Sequence, residues 1–153
     1  MTDVVAPTNE QVETLMQHVF ALVRACPVGS VTTYSWIGRV LGYPRGARMI
    51  GWIMNEGTRE IPAQRVISSK GELTGGWAFG GKDKMRQLLE AEGIIFLADE
   101  RVDLKQYGWD PSRDLSSAER DHILSDATNI PVVVSPRLLQ LLSSDPASPL
   151  RVS

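Results

Sequence analysis

Nucleophilic and metal-assisted chemistry draw on few side-chain types, and this chain of 153 residues is poor in them. Cys26 is its single cysteine, and its two histidines, His18 and His122, lie far apart. One cysteine excludes a disulfide framework and a Cys-rich zinc site, and two distant histidines argue against a His-based metal cluster. Ser68 and Ser69 could in principle attack a substrate, but no base is positioned in the sequence to activate either. No P-loop, GxGxxG fingerprint or GxSxG elbow occurs. No cofactor is expected. What stands out is a run of arginines without acids. No Asp or Glu occurs between Glu13 and Glu56, while Arg24, Arg39, Arg45 and Arg48 lie inside that stretch. A solvated face ordinarily mixes signs, so this stretch is a candidate anion-binding surface. A buried segment would also lack acids, but arginine is rarely buried unless paired.

The global charge conceals this segregation. The formal net charge is -2, which by itself speaks against coating nucleic acid or membranes through bulk attraction. Residues 31–90 nevertheless hold nine basic and five acidic residues, and the rest of the chain seven basic and thirteen acidic. Any anion binding should therefore be local. With 42% hydrophobic and 22% charged residues, the chain can build a core. No apolar run approaches the ~18 residues of a membrane span, and the first residues lack a secretion signal, so a cytoplasmic, monomeric protein that avoids membranes is expected.

The elements that would position the arginines can be read from spacing. Thr8 and Gln11 have the form of a capping box. Val12, Leu15, Met16, Val19, Leu22 and Val23 then recur at helical spacing, which predicts a core-facing helix from Asn9 to Ala25, stopped by Pro27 and Gly29. Thr33 suits the N-cap of a short helix over Tyr34–Leu41, and Gly42 its C-terminal cap. A third helix is predicted over Pro44–Asn55, completing a helix-turn-helix layout. On a helical wheel Met49, Ile50, Ile53 and Met54 share one arc with Gly46, and Arg45, Arg48, Trp52 and Asn55 share the other with Ala47 and Gly51. Glycine inside a helix costs about 1 kcal/mol against alanine, so small residues on the basic arc suggest close approach to a partner. A minor groove would be such a partner, and so would another part of the protein.

Further along, Arg65–Ile67 and Glu72–Leu73 are expected to form a small hairpin around Ser68, Ser69, Lys70 and Gly71. The glycine-rich run 75–81 carries Trp77 and Phe79, either as a base platform or as hydrophobes folding over the core. Lys82–Glu92 reads as a helix with Gly93 as its stop, and Ile94–Leu97 as a strand with Val102–Leu104 as a possible partner. Beyond Pro111 nine serines and four prolines mark a change of character. Residues 112–153 are expected to be an extension, partly helical or poorly ordered, with possible helices over Ser117–Leu124 and Pro136–Leu142. The leucines Leu138, Leu139, Leu141 and Leu142 could recruit a partner or cover an edge of the domain.

Three segments together carry a family resemblance. Pro27-Val28-Gly29-Ser30-Val31-Thr32-Thr33-Tyr34 resembles the entry to the helix-turn-helix of O6-alkylguanine-DNA alkyltransferases. Gly46-Ala47-Arg48-Met49-Ile50-Gly51 resembles that family's recognition helix, and Ile61-Pro62-Ala63-Gln64-Arg65-Val66 its active-site strand, normally Pro-Cys-His-Arg-Val. The likeness runs from Gln11 to Tyr107-Gly108-Trp109-Asp110-Pro111 and leaves out the family's N-terminal domain. It implies an α+β, mainly helical fold: a winged-helix-like helix-turn-helix domain over residues 1–111 with small hairpin elements.

The departures from the pattern bear on function. Ala63 stands where the acceptor cysteine belongs, and a methyl group cannot take up an alkyl group. Gln64 stands where histidine would form the thiolate, and it has no basic nitrogen. Glu92 remains at the relay position with nothing to relay. The chain thus resembles the alkyltransferase-like proteins, which bind O6-alkylguanine in double-stranded DNA without repairing it and flag it for nucleotide excision repair proteins. The resemblance implies that Tyr34 presses on the backbone and helps rotate the nucleotide outward, that Arg48 fills the gap, and that Gly46 and Ala47 lie along the minor groove. Thr33, Arg45, Gly51 and Trp52 complete the expected DNA-binding set. The expected lesion pocket comprises Tyr34, Asn55, Pro62, Ala63, Gln64, Arg65, Val66, Ser68 and Trp77. Alanine at 63 removes bulk, so larger O6 substituents should fit. A helix-turn-helix regulator without lesion specificity is the alternative, and an enzyme using Ser68 or Ser69 a third.

Overall fold

The computed structural model describes residues 7–56, 61–74 and 81–144. The element that organises it is α1, Asn9–Ala25, whose capping box forms as its sequence dictates: Gln11 N donates to Thr8 Oγ1 at 3.1 Å, and Thr8 N donates to Gln11 Oε1 at 2.8 Å. Val12, Leu15, Met16, Val19, Phe20, Leu22 and Val23 are buried along it. A two-residue strand, β1 (Thr32–Thr33), leads straight into α2 (Tyr34–Val40). Thr33 is fully buried, and its Oγ1 accepts Trp36 N at 3.0 Å. Its side chain is therefore spent on the helix cap and does not reach the surface, contrary to its expected place in the DNA-binding set.

The third helix, α3, spans Ala47–Asn55. It begins three residues later than its periodicity suggests, because Pro44–Gly46 belong to the turn that folds α3 against α2. A Cβ on Gly38 would lie 2.9 Å from Tyr43 O, and one on Gly46 2.9 Å from Tyr43 Cβ. Neither position tolerates a side chain without moving backbone or ring, so the tight crossing of α2 and α3 rests on these two glycines. Gly46 is consequently buried in the turn. It follows the apolar arc of the wheel and does not line a groove-facing surface.

After residues 57–60, a 3-10 turn (Ala63–Arg65) runs into β2 (Val66–Ile67). β2 pairs parallel with β1, Thr32 opposite Val66 and Thr33 opposite Ile67. The expected hairpin is thus replaced by a long-range pairing, while Ser68–Glu72 closes as a turn through Ser68 N to Glu72 O at 3.1 Å. Helix α4 is Lys82–Ala91. The strands expected at 94–97 and 102–104 are absent. Leu97 N donates to Arg101 O in a local turn, Val102 N donates to Gly71 O, and Leu104–Tyr107 forms the short helix α5. Val31, Ile67, Leu73, Met85, Leu89, Ile94 and Val102 make a second apolar cluster under β1 and β2.

The described residues beyond Pro111, as far as Ser144, pack onto the domain's core. They form α6 (Pro111–Asp114), α7 (Ser117–Asp126), a 3-10 turn (Ala127–Asn129) and α8 (Pro136–Ser144). Ala127, Ile130, Leu138 and Leu142 are buried in one cluster with Phe20 of α1 and Met49, Ile50 and Ile53 of α3. Gln17 of α1 donates through Nε2 to Thr128 O at 3.3 Å and to Ile130 O at 3.0 Å. The helices expected over Ser117–Leu124 and Pro136–Leu142 are present as α7 and α8, and serines supply their caps: Ser116 closes a second capping box with Glu119, and Ser135 Oγ accepts Leu138 N. Leu138 and Leu142 cover the domain's own core, the plainer of the two readings of these leucines.

Candidate nucleic-acid interface

The outward face of α3 borders an open cleft of about 380 Å³. One wall is α2 and α3, contributing Tyr34, Ser35, Ala47, Arg48, Gly51, Trp52 and Asn55. The other is the turn after β2, contributing Ser68, Ser69 and Thr74. The amphipathic split of α3 explains the arrangement. Met49, Ile50 and Ile53 anchor the helix in the core, so Arg48, Gly51, Trp52 and Asn55 are turned to the cleft. Among the described residues a Cβ on Gly51 would meet nothing within 4 Å, so no contact with them requires glycine there. Arg48 lies over the Trp52 indole, 5.6 Å from the ring centroid.

Tyr34 stands at the junction of the walls. Burial raises its phenol above the ordinary value, opposed by a hydrogen bond with Thr74. It therefore stays protonated at neutral pH and can donate to an anionic oxygen. Arg45 is exposed at the start of the α3 turn. Arg39, also within the acid-free stretch, pairs with Asp110, so α2 is tied to the N-cap of α6. That arginine is committed inside the molecule even though no acid lies near it in sequence.

The expected lesion pocket is only partly assembled around this cleft. Tyr34, Asn55 and Ser68 line it. Pro62, Ala63, Gln64, Arg65 and Val66 do not. Ala63 packs against the core, Val66 is buried in β2, and Gln64 and Arg65 turn to Glu92. Trp77 lies outside the described residues. Ser35, Ser69 and Thr74 line the cleft without having been anticipated; the polar Ser-Ser-Lys-Gly turn was the available signal.

Glu92 has a structural partner. Arg65 Nε donates to its Oε1 at 2.9 Å and Nη2 to its Oε2 at 2.9 Å, while Gln64 Nε2 reaches Oε2 at 3.4 Å. The carboxylate in turn raises the guanidinium's pKa, chiefly through that hydrogen bond. Cys26 is 1% exposed, and burial pushes its thiol up to about 12. It is a thiol, not a thiolate, at neutral pH. Among the described residues no group of three or more His, Cys, Asp or Glu side chains is placed to hold a metal ion, and no helix is long and apolar enough to cross a membrane.

The 6-O-methylguanine DNA methyltransferase, DNA binding domain family matches residues 14–94. The chain belongs to this family. Among relatives of the methyltransferase DNA-binding domain, the DNA base-flipping protein of Escherichia coli (strain K12) is 33% identical over 105 residues, 65% of this chain and 78% of the relative. Alkyltransferase-like protein 1 of Schizosaccharomyces pombe is 32% identical over 99 residues, 61% of this chain and 92% of the relative. The solved structure of S. pombe Atl1 in complex with damaged DNA containing O6-carboxymethylguanine superposes with a TM-score of 0.55 at 30% identity, covering 63% of this chain and 95% of that one. The family match takes in most of α1 and all of β1, α2, α3, β2 and α4. It ends before α7 and α8.

Proposed function

We propose that this protein is a non-enzymatic sensor that binds O6-alkylguanine in double-stranded DNA by setting α3 in the minor groove and rotating the damaged nucleotide out of the stack. The observation that carries the reading is the composition of the cleft: a protonated tyrosine, a cation on an aromatic face and an open helical glycine, with no thiol among its lining residues. The chain's single thiol is buried and protonated. Acceptance of an alkyl group by cysteine is thus unsupported, whereas binding and extrusion need only what the cleft has.

Each residue has a physical task. Tyr34 offers a hydroxyl donor to a phosphate. Ala47 and Gly51 let the helix backbone come close to the groove floor, and Arg45 adds a cation for the phosphate backbone. Arg48 enters the stack and compensates the orphaned base. Extruding a base costs a few kcal/mol, least where pairing is already weakened, and that difference is itself a source of lesion selectivity. Asn55 and Ser68 supply hydrogen bonds near the flipped base. The bound lesion is chemically unchanged, so removal falls to another activity, and excision of the marked nucleotide by nucleotide excision repair proteins is the class of reaction that fits.

The test is binding to matched duplexes with and without O6-methylguanine at two salt concentrations. Phosphate contacts predict that affinity for both falls with salt, while the ratio between them persists. Equal affinity for damaged and undamaged duplexes, with preference for a sequence instead, would identify a regulator. Arg48→Ala and Tyr34→Ala should each reduce lesion binding by roughly tenfold or more, the scale of losing one or two charge-assisted hydrogen bonds. Loss of the protein should add no sensitivity to alkylating agents once excision repair is disabled.

A further inference from the structure

We propose that Trp52 is a positioning residue that pre-sets Arg48 for insertion, acting through the arginine and not as a DNA contact of its own; this rests on the sensor reading above. Arg48 and Trp52 are four residues apart in α3, so they lie one above the other on the same face. Long side chains on a helix lean toward its N-terminus, which carries the indole of Trp52 back over the turn of Arg48. The guanidinium carbon sits 5.6 Å from the ring centroid, within cation–π range.

The surroundings favour this role. Trp52 is half-buried and packs against the core cluster, so its ring is held by the domain. Arg48 is exposed, and its place over the indole is one contact that limits its rotamers. Ala47 and Gly51 flank the pair on the cleft side, and neither carries a side chain able to cover the indole or hold the guanidinium. Within α3, Arg48 and Trp52 are the two large side chains of the cleft wall, with Ala47 and Gly51 beside them and Asn55 one turn on. An arginine that must enter a base stack gives up side-chain freedom on doing so. A flat aromatic partner removes part of that freedom beforehand and makes insertion cheaper.

The experiment is a double-mutant cycle on the full chain. Trp52→Leu and Trp52→Phe are measured alone and with Arg48→Ala. The readouts are the affinity ratio between O6-methylguanine and undamaged duplexes, and the emission of 2-aminopurine placed opposite the lesion, which reports opening of the stack. Trp52→Leu is expected to lower the ratio and the emission by about two- to five-fold, the scale of an exposed cation–π contact. Trp52→Phe, which keeps a π face, should recover most of it. In the Arg48→Ala background, Trp52→Leu should change neither readout further. If Trp52→Leu costs the same with and without Arg48, the indole is a DNA contact itself and the positioning role is overturned. If Trp52→Phe behaves as Trp52→Leu while both retain the wild-type Tm, the π face is irrelevant and the proposal again fails. If Arg48→Ala alone leaves lesion binding intact, it is the flipping assignment that falls, before Trp52 is considered.

Discussion

The guanidinium of Arg65 closes on both carboxylate oxygens of Glu92, at 2.9 Å through Nε and 2.9 Å through Nη2, and its third arm donates to Cys26 O at 2.8 Å. This joins three distant parts of the chain: the end of α1, the turn before β2 and the end of α4. Both side chains are only 12% exposed, so each charge depends on the other for solvation. The carboxylate that the family resemblance assigns to a proton relay is here a structural strut.

Removing one half of such a pair leaves an uncompensated charge in a dry place. Glu92→Ala is expected to destabilise the domain by on the order of 3 kcal/mol. Glu92→Gln, which keeps an acceptor for Arg65, should cost clearly less. Equilibrium urea unfolding of the two variants checks this. Equal losses would mean that the neutral acceptor kept by glutamine contributes nothing and that the charge of Glu92 carries the whole effect.

Gly51 gives an opposed pair of effects. Its Cβ position is open, so Gly51→Ala should stabilise the free protein by about 0.5–1 kcal/mol through helix propensity. The same methyl would stand between α3 and a groove floor, so affinity for duplex DNA should fall. Thermal unfolding and a fluorescence-anisotropy titration read the two. A gain in stability without any loss of DNA affinity would show that the glycine is not a point of close approach.

The C-terminal helices are expected to be indispensable to the fold even though the family match ends before them. Leu138 is fully buried against the same cluster as Met49, Ile50 and Ile53. Leu138→Ala should cost about 2–5 kcal/mol, the range for an alanine cavity in a packed core. A loss below half a kcal/mol would mean that α8 docks only loosely. Gln17→Ala, which releases two carbonyls of the 127–130 turn, should loosen the same region and raise amide exchange there.

His18 supplies a pH signature. Burial lowers its pKa from 6.5, so the folded state holds this proton less tightly than the unfolded chain. The stability tied to a neutral His18 is therefore complete above the unfolded value and declines as pH falls below it toward the folded one. The midpoint of urea unfolding should drop between pH 7 and pH 5.5, and His18→Gln should flatten that part of the profile. An unchanged slope in the variant would place the effect on other groups.

Local rules governed much of what could be read from the residues alone. The capping box at Thr8 and Gln11, the apolar spacing through Val23 and the stop after Ala25 fix α1, because each is a contact between neighbours a few positions apart. The two faces of α3, the caps of α2 and the extent of α4 follow for the same reason. So does Ala63, which puts no thiol where the family resemblance expects one, since chemistry that needs a thiol cannot be supplied by packing.

Long-range contacts decided the rest. Nothing near Val66 announces that it pairs with Thr32, so a hairpin was expected where a parallel bridge forms. Gly46 is spent inside the α2–α3 turn because Tyr43 crowds it, a clash visible only once the two helices cross. Arg39 meets an acid 71 positions away, beyond any count of charges along the chain. After Pro111 the helices over Ser117–Leu124 and Pro136–Leu142 are legible and form as α7 and α8, but the serines and prolines read as an extension, because composition does not report whether a neighbour offers a segment a core. The cluster that holds Phe20, Met49, Ile50 and Ile53 offers one, and Leu138 and Leu142 are buried in it. Sequence thus determined which side chains face outward on α3 and which chemistry is missing, while the tertiary structure decided which of them meet around one cleft.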